Sequence, residues 1–299
     1  MTNSHQSQKT AVAALSVTSN FVLIVAKLII GLAIGSVSVL SEAIHSGVDL
    51  VAAIIALFAV KKSGEEADAD HPYGHGKFEN VSGVVEALLI FVAAIWIVVE
   101  AVKKLIHREP IEAVGWGIVV MAASSLVNFL VSHRLFQVGR KTDSAALIAD
   151  AWHLRTDVYT SMGVLAGLGV ILVGKRIWPT VDLSWVDPVA AILVACLILK
   201  AAFDLTREAG RDLLDVRLPV EEQEAIREIA LQASPRVREV HKLRTRKGGH
   251  IRYADMHVVV DPAMSLADAH SLSHQIAAGV AHAYPATITT IHVEPEKAK

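Results

Sequence analysis

The stretch SEAIHSGVDL, residues 41–50, lies between the apolar runs SVSVL and VAAIIALFAV. His45 and Asp49 are four residues apart, so on a helix both side chains project from one face, a turn from each other. Two ionisable groups on one face of an otherwise apolar segment need something polar opposite them. What they face decides the fold.

The surroundings are more apolar than a soluble globular domain allows: of 299 residues, 53% are hydrophobic and only 19% charged. Apolar runs near 12–34, 36–60, 81–106, 113–136, 145–174 and 186–205 each reach the ~20 residues needed to cross a bilayer core. Six transmembrane helices are therefore expected. The second is interrupted by Glu42, His45 and Asp49, the fifth by Asp150, His153, Arg155 and Asp157. The leader MTNSHQSQKT is polar and lacks a small-residue cleavage pattern, so it reads as retained and not as a signal peptide.

Basic residues set the orientation. Lys9, Lys61, Lys62, Lys77, Arg134, Arg140, Lys141, Arg207, Arg211 and Arg217 flank one side; Lys103, Lys104, Arg108, Lys175 and Arg176 flank the other. The excess puts both termini in the cytoplasm. Past residue 205 the sequence turns charged and alternating, which divides the chain into a transport domain, 1–205, and a cytoplasmic domain, 206–299. In the second, a helical pattern begins at Pro219, two strands flank Gly248-Gly249, a helix follows Asp261-Pro262, and ATITTIHVEP alternates as a last strand. The order α-β-β-α-β implies one sheet backed by two helices.

A net charge of -2 offers no field for nucleic acid, and the short basic stretch HKLRTRKGG reads as a solvated hairpin. The single cysteine, Cys196, lies in the sixth span, so neither an intrachain disulfide nor a thiolate metal cluster can form. No organic cofactor is expected.

The fifth span contains HLRTD, where His153 and Asp157 repeat the spacing of His45 and Asp49. One such pair is compatible with an interhelical hydrogen bond; two in separate apolar spans point to a polar cavity. The two spans run in opposite directions. Asp49 and His153 each lie about ten residues from the cytoplasmic ends, roughly 15 Å deep, with His45 and Asp157 about one turn further. The four groups can meet near mid-membrane. Two imidazoles and two carboxylates suit tetrahedral Zn²⁺, whereas Mg²⁺ or Ca²⁺ prefers oxygen alone.

With these spans, this ligand spacing and this soluble domain, the chain resembles the cation diffusion facilitator family, the proton-coupled exporters of divalent transition metals. The resemblance implies a membrane α-helical fold with a cytoplasmic α+β domain of ferredoxin-like, metallochaperone-like type. It also implies a homodimer in the bacterial inner membrane, in contact with lipid, and a transport site of His45, Asp49, His153 and Asp157. Bacterial members commonly carry aspartate where His45 stands, and the two-histidine, two-aspartate set is similar to the zinc-selective branch.

Further metal sites follow from the same resemblance. The loop EEADADHPYGHGKFE, solvated on composition alone, matches a family motif that assigns Asp68, His71 and His75 to a second metal and pairs Lys77 with Asp215 of RDLLDVRLP. Of seven histidines beyond residue 240, the resemblance assigns His241, His257, His270 and His292, with Glu294, to a metal site at the dimer interface. His250, His274 and His282 are left as surface residues. The function implied is export of Zn²⁺ from the cytoplasm in exchange for H⁺, by a transporter and not an enzyme. Fe²⁺, Mn²⁺, Cd²⁺ or Co²⁺ as cargo, or a metal sensor that does not transport, are the competing readings.

Overall fold

The computed structural model describes residues 3–34, 37–107, 116–177 and 185–296. Six long helices come first: α1 (Asn3–Ile34), α2 (Val37–Ser63), α3 (Lys77–His107), α4 (Trp116–Thr142), α5 (Ala145–Ile177) and α6 (Val186–Leu213). They are followed by α7 (Val220–Gln232), β1 (Val237–Gly248), β2 (Ile251–Val260), α8 (Leu266–Ala283) and β3 (Thr287–Pro295). The chain divides between Ala209 and Gly210 into two compact units.

In the first unit, α1 packs along α2, α4 along α5, and α3 against α5. Small residues let the backbones approach: Ala13, Ala59, Ala146 and Ala151 form one buried seam, and Ala87, Ala94, Ala149 and Ala202 another. Gly163 of α5 marks a close approach, since a Cβ there would lie 2.7 Å from Val194 Cγ2 on α6. Large apolar side chains point outward instead, among them Phe21, Ile29, Leu32, Trp96 and Leu126. That inversion is what a lipid environment demands. Among the described residues four helices are long and apolar enough to cross a membrane: Ser4–Ala33, Lys77–Ile106, Val119–Thr142 and Pro188–Leu213. The two other long helices are α2 and α5.

Helix α1 begins at Asn3, nine residues before the apolar run from which a span was expected. The leader is helical because its polar groups find partners inside the bundle. Gln6 Nε2 donates to the Val60 carbonyl at 2.6 Å, and Lys9, fully buried, pairs with the equally buried Glu79 of α3. Ser63 Oγ donates to the same carboxylate at 2.5 Å, and Ser144 Oγ donates to its other oxygen. Lys9 is thus a buried ion-pair partner and not one of the flanking cations among which it was counted.

In the second unit the strand order is β1-β2-β3, with β1 antiparallel and β3 parallel to β2. The turn between β1 and β2 uses Gly249 at φ 62, a conformation suited to glycine. Alternation sends Val240, Ala254, Met256, Val258 and Val260 into one core with Ile226 and Ala230 of α7 and Leu272, Ile276 and Val280 of α8. Both helices therefore cover one face of the sheet. Ser265 caps α8 by accepting from the Asp268 amide at 3.1 Å.

Candidate metal centres

Helices α2 and α5 bring Asp49 and His153 into contact. His153 Nε2 lies 3.1 Å from Asp49 Oδ1, with side chains only 7% and 5% exposed. Asp157, one turn along α5, completes a set in which one ligand atom from each residue lies within 4.8 Å of the others. Asp49 and Asp157 line a cavity of about 160 Å³ with Lys27, Ser46, Ser124, Asn128 and Thr160 among its other walls. His153 Nδ1 is buried without a hydrogen-bond partner among the described residues. Two carboxylates and an imidazole converging on a polar cavity between membrane helices form a donor set for a divalent cation. The fourth expected residue, His45, belongs to the α2 backbone one turn from Asp49, and its side chain lies outside the described residues.

The loop between α2 and α3 builds a second cluster from Asp68, His71 and His75. Asp68 Oδ1 accepts the backbone N–H groups of Asp70 at 3.0 Å and His71 at 2.6 Å. The His71 amide, first among the causes, holds the Asp68 carboxyl below its ordinary value. His75 is nearly fully buried, and its Nδ1 lies 3.1 Å from the Glu66 carbonyl. A carbonyl can only accept, so Nδ1 carries a proton, and in the neutral ring the lone pair is then on Nε2. That Nε2 has no hydrogen-bond partner among the described residues and lies 3.4 Å from Asp68 Oδ2. An oriented imidazole with an unused buried lone pair beside a carboxylate is how proteins prepare a metal ligand. The cluster fits a metal ion.

The third cluster is a row across the open face of the sheet. Register pairs His241 of β1 with His257 of β2, and His257 with His292 of β3. Because Met256 and Val258 point to the core, His257 and its partners point away from it. Glu294, two residues along β3, lies 2.7 Å from His257 Nδ1, 3.3 Å from His241 Nε2 and 3.6 Å from His292 Nε2. The hydrogen bond from His257, ahead of the nearby charges, holds the Glu294 carboxyl below its ordinary value. His241, His257 and Glu294 converge closely enough to hold one ion. His270 stands apart from this row, on α8, with its Nε2 3.2 Å from that of His274.

Lys77 is the first residue of α3, in the first unit. Asp215 belongs to the second, where its Oδ1 accepts from Arg246 Nη1 at 3.3 Å. Asp150 is fully buried on α5, outside the cation cluster, and Glu86 of α3 is buried likewise. Sequence reading missed the neutral lining of the transmembrane cavity and Lys27, whose Nζ donates to Ser46 Oγ at 2.8 Å. The signal was present as polar residues at helical spacing in apolar spans, Ser124 with Asn128 above all.

Residues 13–214 match the model of the cation efflux transmembrane domain, and residues 218–296 that of the cation efflux protein cytoplasmic domain. The cation-efflux pump FieF of Klebsiella pneumoniae is 31% identical over 287 residues, 96% of this chain and 92% of that protein. A probable cation efflux system protein of Mycobacterium tuberculosis is 34% identical, covering 87% of this chain and 76% of its own length. The metal-bound C-terminal domain of the CzcD transporter from Thermotoga maritima is 30% identical over 26% of this chain and 94% of that domain, with a TM-score of 0.24.

Proposed function

This chain belongs to the cation diffusion facilitator family of cation efflux proteins, and from that premise we propose that it exports Zn²⁺ from the cytoplasm in exchange for protons, as a homodimer in the bacterial inner membrane. The observation that carries the reading is the convergence of Asp49, His153 and Asp157 at a polar cavity that the two carboxylates line. In this reading α2 and α5 cross the bilayer as well, six spans in all, with both termini cytoplasmic. Asp49 and Asp157 line the cavity instead of meeting lipid.

The donor set supports zinc. With His45 supplying a second imidazole, the site offers two nitrogens and two carboxylate oxygens, a set Zn²⁺ accepts in tetrahedral geometry. Proton exchange follows from the same chemistry, because an imidazole ligates only when neutral and a carboxylate only when ionised, so loading the cation displaces protons. The loop cluster of Asp68, His71 and His75 and the sheet row of His241, His257, His292 and Glu294, with His270, hold further ions in the cytoplasmic part. There they favour one conformation over another by binding it more tightly.

A panel of Zn²⁺, Fe²⁺, Mn²⁺, Cd²⁺ and Co²⁺ in reconstituted vesicles tests the cargo. The wild type should move Zn²⁺ fastest. His45→Asp makes the site harder and one charge more negative, so it should keep Zn²⁺ transport while gaining rate with the other ions. An unchanged ratio of rates across the panel would remove His45 from the site.

A further inference from the structure

Helix α5 uses two faces. At about 100° per residue, His153 and Asp157 share one side, while Trp152, Arg155 and Tyr159 cluster on the opposite side. That second side borders a cavity of about 450 Å³, closed on the α4 side by His133, Phe136 and Arg140. Two guanidiniums and an imidazole line it, and among the described residues no carboxylate does.

The cations are held in place, and among the described residues no carboxylate pairs with either guanidinium. Arg155 lies over the Phe129 ring at 4.5 Å and near Phe136 at 5.7 Å, and Arg140 lies over Phe136 at 5.3 Å. Phe136 in turn meets Trp152 edge-on at 5.4 Å. Ring faces orient a guanidinium plane but supply no counter-charge. Arg155 Nε is buried without a hydrogen-bond partner among the described residues. Arg155 also sits ten residues into α5, about 15 Å along the helix from its start, where an arginine needs an anion or a route to water. Arg140 lies close to the α4–α5 turn, so the cavity runs from the end of the bundle inward with a cation at each level.

The same face of α4 continues beyond the cavity as an apolar stripe. Leu126, Phe129 and Leu130 lie there and are 61%, 43% and 56% exposed. We propose that the cavity seats the phosphate of an anionic glycerophospholipid, with an acyl chain along that stripe. Arginine forks match phosphate oxygens in pairs, and basic pockets between membrane helices are where anionic headgroups bind. The site is separate from the cargo ligands, and the inference rests on the chain spanning a membrane, not on the choice of metal.

The test uses the full chain in mild detergent, offered equal amounts of phosphatidylglycerol and phosphatidylcholine and read by native mass spectrometry. The wild type should retain phosphatidylglycerol by about tenfold over phosphatidylcholine, because the choline cation cancels the phosphate charge and is repelled by the two guanidiniums. The double variant Arg140→Gln, Arg155→Gln should lose that preference, and inorganic phosphate should not displace the lipid. Photo-crosslinking with a diazirine-bearing phosphatidylglycerol needs no variant and should label the α4 segment 126–130. Equal retention of the two lipids by the wild type overturns the proposal, and so does an undiminished preference in the double variant. Labelling only elsewhere overturns it as well, and displacement by inorganic phosphate would assign the cavity to a free anion instead.

Discussion

Asp49→Asn keeps the shape of the side chain and removes one negative charge from the transmembrane cavity. The contact at stake is the 3.1 Å approach of His153 Nε2 to Asp49 Oδ1, between two nearly buried side chains. An asparagine oxygen still accepts from an imidazole N–H, so the link between α2 and α5 survives at a cost of about 1 kcal/mol. The cation loses much more. Removing one charged partner from a buried set costs about 3 kcal/mol, and each 1.4 kcal/mol is tenfold, so affinity for Zn²⁺ at this site should fall by roughly 100-fold. The assay is zinc flux into vesicles carrying the purified chain, measured from submicromolar to millimolar zinc. Half-saturation should move up by about that factor while the protein still elutes as a folded species. Unchanged half-saturation and rate would refute the reasoning. A variant that failed to fold would also refute it, because Asp49 would then be a structural residue.

Other expectations concern the cytoplasmic clusters. His75→Ala removes the imidazole whose Nε2 lone pair faces Asp68, and should lower the number of zinc ions bound per chain by one in calorimetry; unchanged stoichiometry would return the loop to ordinary solvated sequence. His257→Ala combined with His292→Ala takes two of three imidazoles from the sheet row and should likewise lower stoichiometry while leaving the α7–α8 core intact by circular dichroism. The metal-free loop should respond to acid with a definite sign. Asp68 is held below its ordinary 3.8, so the order it contributes is fully present above that value and is lost as pH falls through the lower folded value. Hydrogen exchange at the Asp70 and His71 amides should therefore accelerate, beyond the intrinsic pH trend, only below about pH 4. Acceleration already at neutral pH would contradict the hydrogen bonds drawn to Asp68.

Much of this architecture could be read from pattern. The four-residue spacing in HSGVD and HLRTD put ionisable groups on single helix faces, and two such faces in apolar spans had few partners but each other. Asp49 and His153 do meet. Alternation in IRYADMHVVVD placed His257 on the face opposite Met256 and Val258, and strand register then aligned His241 and His292 beside it. What pattern could not supply was the identity of partners distant in sequence. Lys9 looks like a cation flanking the membrane until Glu79, 70 residues away, is found beside it. Lys27 looks like a flaw in an apolar span until Ser46 and the cavity appear. Arg155 interrupts the fifth span for no reason visible in its neighbours, because its stacking partners Phe129 and Phe136 lie on α4.

The central claim is that protons and Zn²⁺ exchange at the cluster of Asp49, His153 and Asp157. Its most direct test is zinc uptake into vesicles holding the purified chain and a zinc-sensitive dye, with the inside made acidic relative to the outside. The account requires uptake that rises with the imposed gradient, collapses when an ionophore dissipates it, and is abolished in Asp157→Ala while the variant remains folded. Uptake indifferent to the gradient, or undiminished in Asp157→Ala, would contradict it.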